Sequence, residues 1–168
     1  GSTYAAQVTG LNPLAYWRLG ESAGAVAFDY WGGHPALYVG ASQGQTPGGL
    51  LDDDDGAVTL WGAGTYIRTL EAAPFSYYGF QDFTLSTFVK VTAAVPANTP
   101  ARIFSNWQGA TTTNLSSGFG FGLYGMTKLR FTAFGVVDLD ANVASLTTDQ
   151  WYHLAAVRSN TMVYLYIN

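Results

Sequence analysis

The chain has 168 residues, which fits one domain with a full core, because domains run to roughly 100–200 residues. Hydrophobic residues make up 48% and charged residues 11%, the opposite of the composition that keeps a chain disordered. A net charge of −4 with seven Lys and Arg leaves no basic stripe to neutralise phosphates and excludes nucleic acid as a partner, while the lack of cysteine removes disulfides, thiolate metal sites and thiol nucleophiles together.

Taken in chain order, Gly1 and Ser2 read as a remnant of cloning, and no basic or apolar leader follows. No apolar run reaches the ~20 residues of a bilayer span. Strands are expected at residues 14–19 and 36–39, then a loop over 40–51, then strands at 58–61 and 65–69. Phe83, Leu85, Thr87, Val89 and Val91 next alternate with Thr84, Ser86, Phe88 and Lys90, the period of two that marks a half-buried strand. Another strand is expected at 102–107, followed by a second loop at 108–117 that contains Thr111, Thr112, Thr113 and Asn114. Phe119, Phe121 and Leu123 alternate with glycines, and Leu129, Phe131 and Ala133 follow. Val137, Leu139 and Ala141 alternate with Asp138 and Asp140, a strand is expected at 151–158, and Val163, Leu165 and Ile167 alternate with Met162, Tyr164 and Tyr166.

These make about eleven short strands and no long helix. Twenty glycines weigh against helices, since each costs up to ~1 kcal/mol in a helix interior. The pattern predicts an all-β, antiparallel fold of two packed sheets, a β-sandwich, with Trp17 and Trp151 as large core anchors.

Three segments carry a resemblance. The first is Pro13, Leu14, Ala15, Tyr16, Trp17, Arg18, Leu19, Gly20 and Glu21. The second runs from Asp53, Asp54, Asp55 and Gly56 through Val58, Leu60, Trp61 and Gly62 to Tyr66 and Ile67. The third is Trp151, Tyr152, His153, Leu154, Ala155, Ala156, Val157 and Arg158, followed by Leu165, Tyr166, Ile167 and Asn168. In this order the sequence resembles the laminin-G-like branch of the concanavalin A-like lectin/glucanase superfamily, in the version found on bacterial surfaces and phage tails. The resemblance implies a jelly-roll sandwich and an extracellular, cell-surface or virion location; the expected role is a recognition module for a carbohydrate or cell-surface ligand, with a structural or assembly domain of a fibre or surface protein as the alternative and a diverged glycoside hydrolase as the third. In that family further strands follow the last hairpin, so the chain reads as a single domain over residues 3–168 that is a piece of a longer one, or is completed by a strand from another chain.

Catalysis is tested on carboxylates. A glycosidase needs an acid and a base or nucleophile, and related hydrolases carry a Glu-x-Asp-x-x-Glu strand; this chain has only Glu21 and Glu71, outside such a pattern. Asp138 and Asp140 share a strand face, about 6.5–7 Å apart by strand rise, and read as a solvated outer face. His34 reads as a loop residue and His153 as part of its strand.

Glycan recognition needs aromatic platforms with amide or hydroxyl neighbours. The candidates are Tyr77 and Tyr78, beside Gly79; Asn106, Trp107 and Gln108, opening the Thr/Asn loop; and Trp31, flanked by Tyr30 and two glycines. The plainer reading of each is a cap on the core edge. Calcium is the one cofactor in view: Asp53 and Asp55 lie in an acidic run at residues 52–55, and the resemblance implies a structural calcium near Asp29 with the carbonyls of Gly32 and His34.

Overall fold

The computed structural model describes residues 3–51, 53–71, 73–75, 81–106 and 118–168. It is mostly β, with antiparallel strand pairs throughout, in accord with a concanavalin A-like sandwich. Two compact units divide it, Gly1–Pro74 and Phe75–Asn168.

The first unit opens with a helix, α1 (Thr3–Gly10), that buries no residue. It stops at a cap: Leu11 N donates to Val8 O at 3.1 Å and Asn12 N to Thr9 O at 3.0 Å. Asn12 adopts a φ of 52°, the left-handed turn that Asn tolerates, and Pro13 cannot continue the helix. The strands are short: β1 (Val26–Ala27), β2 (Ala36–Val39), β3 (Ser42–Gln45), β4 (Ala57–Thr59) and β5 (Tyr66–Thr69). They form a three-stranded sheet in the order β1-β2-β5 and a separate β3-β4 pair. Ala27 and Ala36, paired across β1 and β2, are its only fully buried apolar residues among those described.

The second unit is a sandwich in its own right. Strands β6 (Phe83–Lys90), β11 (Trp151–Ser159) and β12 (Met162–Ile167) form one sheet in the order β12-β11-β6. Strands β7 (Pro100–Ser105), β8 (Phe119–Tyr124), β9 (Lys128–Ala133) and β10 (Val137–Asn142) form the other, in the order β10-β9-β8-β7. One apolar cluster joins them: Phe119, Phe121 and Leu123 from β8, Leu129 and Phe131 from β9, and Tyr152, Leu154 and Ala156 from β11. Phe119 stacks between Phe83 at 5.2 Å and Phe131 at 5.8 Å, ring centre to ring centre. Each such side chain taken fully from water contributes ~1.5–3 kcal/mol. Tyr152 keeps its hydroxyl satisfied inside, accepting from Thr147 N at 3.0 Å.

Several expectations need correcting. Residues 14–19 form no strand but touch β structure at one bridge, Trp17 to Asp29, because the backbone there bonds to the Asp29 side chain and to Tyr30 N. The loop expected over 40–51 contains β3, and the strand expected over 58–61 ends at Thr59. Trp151 is not in the central core. The alternation of β11 turns Tyr152, Leu154 and Ala156 inward and places Trp151 on the opposite face, half-buried beneath the Lys90 ammonium at 5.1 Å. The loop expected at 108–117 lies outside the described residues.

Candidate functional site

Asp29 organises the loop that carries Trp31. Its Oδ1 accepts Tyr16 N at 2.8 Å and Trp31 N at 3.0 Å, and its Oδ2 accepts His34 N at 2.9 Å. Burial alone would raise this carboxyl, but the backbone donors Tyr16, His34, Trp31 and Gly32 together outweigh it and hold it below the ordinary carboxylate value. Gly32 is required where it stands, since a Cβ there would overlap the Leu14 carbonyl. The loop is further tied by Trp17 Nε1, which donates to His34 O at 2.9 Å.

Trp31 is thereby fixed with 47% of its surface exposed. Its Nε1 donates to Asn12 Oδ1 at 3.1 Å, so the helix cap that sets the backbone of Asn12 also orients the ring. Tyr30 and Phe28 are exposed nearby in sequence, with the Arg18 guanidinium 5.4 Å from the Tyr30 ring centre. Asn12 was not among the residues singled out from sequence; the signal for it was the Leu-Asn-Pro turn after a polar segment.

The remaining acidic candidates are paired with a cation. Arg18 Nη2 donates to both Asp53 oxygens, at 2.8 and 2.7 Å, and Arg18 Nε pairs with Asp55. Asp55 N donates back to Asp53 Oδ1 at 3.1 Å. The three carboxylates in view for calcium, Asp29, Asp53 and Asp55, thus accept from backbone amides and from a guanidinium. Among the described residues no group of three His, Asp or Glu side chains converges as a metal set.

In the second unit Asn106 acts as a clamp. Its Nδ2 donates to Phe75 O at 2.9 Å, its Oδ1 accepts Phe119 N at 2.6 Å, and its own N donates to Phe119 O at 3.1 Å. Both ends of the amide are used on backbone. Gly118 has a φ of 95°, and a Cβ on it would overlap Asn106 Oδ1. The clamp brings Phe75, Asn106 and Phe119 to one point. Tyr77, Tyr78, Trp107 and Gln108, the other candidates, lie outside the described residues.

Asp138 and Asp140 form a ladder with β9. Arg130 Nε donates to Asp140 Oδ1 at 2.7 Å, Arg130 Nη1 to Asp138 Oδ2 at 3.2 Å, and Thr132 Oγ1 to Asp138 Oδ1 at 2.7 Å. Arg130 holds the Asp140 carboxyl below its ordinary value, chiefly by this hydrogen bond. His153 contacts Ser86 Oγ through Nε2 at 2.7 Å, and burial lowers its pKa.

A laminin-G family model, described as the concanavalin A-like lectin/glucanases superfamily, matches residues 61–168. No curated protein and no solved structure matches the chain.

Proposed function

The chain belongs to the concanavalin A-like lectin/glucanase superfamily, in its laminin-G-like branch, and on that premise we propose that it is a non-catalytic recognition module for a carbohydrate of a cell-surface or extracellular polymer. The observation that carries this reading is Trp31: a half-exposed ring whose backbone N–H is held by Asp29 and whose indole N–H is held by Asn12. Such a ring offers an apolar face to a sugar at little entropic cost, with an amide beside it to meet a hydroxyl. The clamped stems around Asn106 support a second contact region on the segments that carry Tyr77, Tyr78, Trp107 and Gln108. An extracellular, cell-surface or virion setting follows from the same reading. The scarcity of glutamate and the pairing of Asp138 and Asp140 with Arg130 support binding over hydrolysis.

The test is affinity electrophoresis through polysaccharide gels, combined with a glycan array, on the native chain, Trp31→Ala, Asn12→Ala and Trp107→Ala. The expected result is retardation in at least one neutral polysaccharide, weakened about tenfold or more by Trp31→Ala, which corresponds to ~1.4 kcal/mol. Asn12→Ala is expected to weaken it less. Binding untouched by Trp31→Ala and lost in Trp107→Ala would move the site to the second unit. Silence of the native chain on every glycan would end the reading.

A further inference from the structure

The sandwich of the second unit has two ends. At one, Asn106 fastens β7 to β8; at the other, the residues between β6 and β7 lie beside the turn from β8 into β9. Backbone bonds hold both of these segments in place. Gly125 N donates to Thr99 O at 3.0 Å, Leu146 N to Met126 O at 2.8 Å, Val143 N to Thr127 O at 2.9 Å and Asp149 N to Val91 O at 2.8 Å. Between the two segments lies a cavity of about 280 Å³, and every residue that lines it belongs to this unit.

The lining divides by chemistry. Val95 and Met126 are its apolar part, and both also pack against the core. Tyr124 is an aromatic wall, its ring held by the Arg130 guanidinium 3.5 Å from its centre. Asn98 and Thr127 are exposed, and neither side chain makes a hydrogen bond among the described residues. Asn98 has a φ of 58°, a left-handed turn that Asn tolerates, so its amide stands on a defined backbone. Lys128 brings charge. Its Nζ is 3.5 Å from Asp140 Oδ2, the outer limit of a hydrogen bond, whereas Arg130 engages both oxygens of that carboxylate at 2.7 and 2.9 Å and Asp138 at 3.2 Å. A bidentate guanidinium is the stronger partner. The ammonium, with three donors, therefore keeps capacity for a further acceptor.

We propose that this cavity takes one acidic sugar residue, a pyranose ring bearing a carboxylate, with the acid at Lys128, ring hydroxyls at Asn98 and Thr127, and C–H groups against Val95 and Met126. The volume lies just below the roughly 300–1,000 Å³ of pockets that hold drug-sized ligands, which suits a single ring and is too small for a chain of them. A few polar groups set into an apolar lining are what fixes the orientation of such a ligand. The site goes beyond the Trp31 reading: it lies in the other unit, uses other residues and selects by charge.

The test is a residue-resolved NMR titration of the full chain with the methyl glycosides of glucuronic and galacturonic acid, with their neutral counterparts methyl glucoside and methyl galactoside, and with acetate. At least one uronide is expected to shift the amides of Asn98, Gly125, Thr127 and Lys128, with an affinity about tenfold or more above that of the matching neutral sugar and of acetate. Lys128→Gln should remove that preference and Lys128→Arg should retain most of it. Asn98→Asp, which keeps a turn-tolerant side chain and opposes the carboxylate, should abolish binding. Uronides that leave these amides unmoved, an equal response to the neutral sugar, an acetate response as strong as that to the uronide, or a preference that survives Lys128→Gln would each overturn the proposal. Shifts confined to the Trp31 loop would overturn it too, while leaving the Trp31 reading intact.

Discussion

The two units hold β structure together by different means. In the second, strands of six to nine residues enclose a single apolar cluster, with the Tyr152 hydroxyl bonded to Thr147 N inside it. In the first, strands of two to four residues bury only two alanines, and position is set by side chains that reach across the sequence. Asp29 gathers three backbone amides, Arg18 draws in Asp53 and Asp55, and Glu21 accepts both Phe28 N at 2.9 Å and Tyr38 Oη at 2.6 Å. The lesson is that a cooperative hydrophobic interior makes long strands and tolerates a plain surface. A region with little interior depends on a few anchors, each of high individual consequence.

The sharpest way to break this contrast is to damage the strongest point of each unit. Leu154→Ala empties a fully buried site in the second unit and should cost about 2–5 kcal/mol in urea unfolding, with the loss spread over β6, β8, β9 and β11 in hydrogen exchange. Asp29→Ala should cost the first unit about 2–3 kcal/mol, because hydrogen bonds to a charged acceptor are worth ~1.5–3 kcal/mol and their amides are left unpaired. Faster exchange should appear at Tyr16, Trp31 and His34, with the core amides of β11 unchanged. Acid should mimic that variant. The folded Asp29 value lies below the unfolded one, so its contribution is complete above the unfolded value near 3.9 and disappears as pH falls through the folded one. If exchange at the Trp31 loop and at β11 accelerates together on acidification, the contrast between the units fails. The smallest effect belongs to the outer ladder: Asp140→Asn removes an exposed partner of Arg130 and should cost below ~1 kcal/mol, less still at high salt.

This division also decides what the sequence disclosed. Strands β6, β8, β9, β11 and β12 were legible because each turns alternate apolar side chains toward one core, and that writes a period of two into the chain. The family resemblance was carried by motif residues within 13–21, 53–67 and 151–168, and residues 61–168 are the part that the family model matches. The first unit left weaker traces. Val26 and Ala27 are too few to show a period, Ser42–Gln45 is polar with a glycine inside it, and α1 has no buried face to impose an apolar stripe. Residues 14–19 alternate like a strand, yet their backbone is claimed by the Asp29 carboxylate, a partner thirteen or more residues away that no local pattern reveals. Trp31 was visible as an aromatic between turn residues; the role of Asn12 was not, because it arises from a helix cap meeting a distant indole. Asn106 was read as a contact for ligand; that its amide also bonds the backbone of Phe75 and Phe119 had no local signal. A short polar side chain beside a long loop looks the same in sequence whether it greets a guest or fastens the door.

That fastening has a consequence for how such a domain can diversify. With Asn106 N donating to Phe119 O and Asn106 Oδ1 accepting Phe119 N, one residue fastens the end of β7 to the start of β8. Replacement of residues 107–117 with other peptides should leave β7 and β8 in register as long as Asn106 is kept, and Asn106→Ala should loosen that register, read by faster hydrogen exchange at Phe119. The scaffold therefore offers a socket into which new specificities can be grafted, provided that Asn106 and Gly118 are kept.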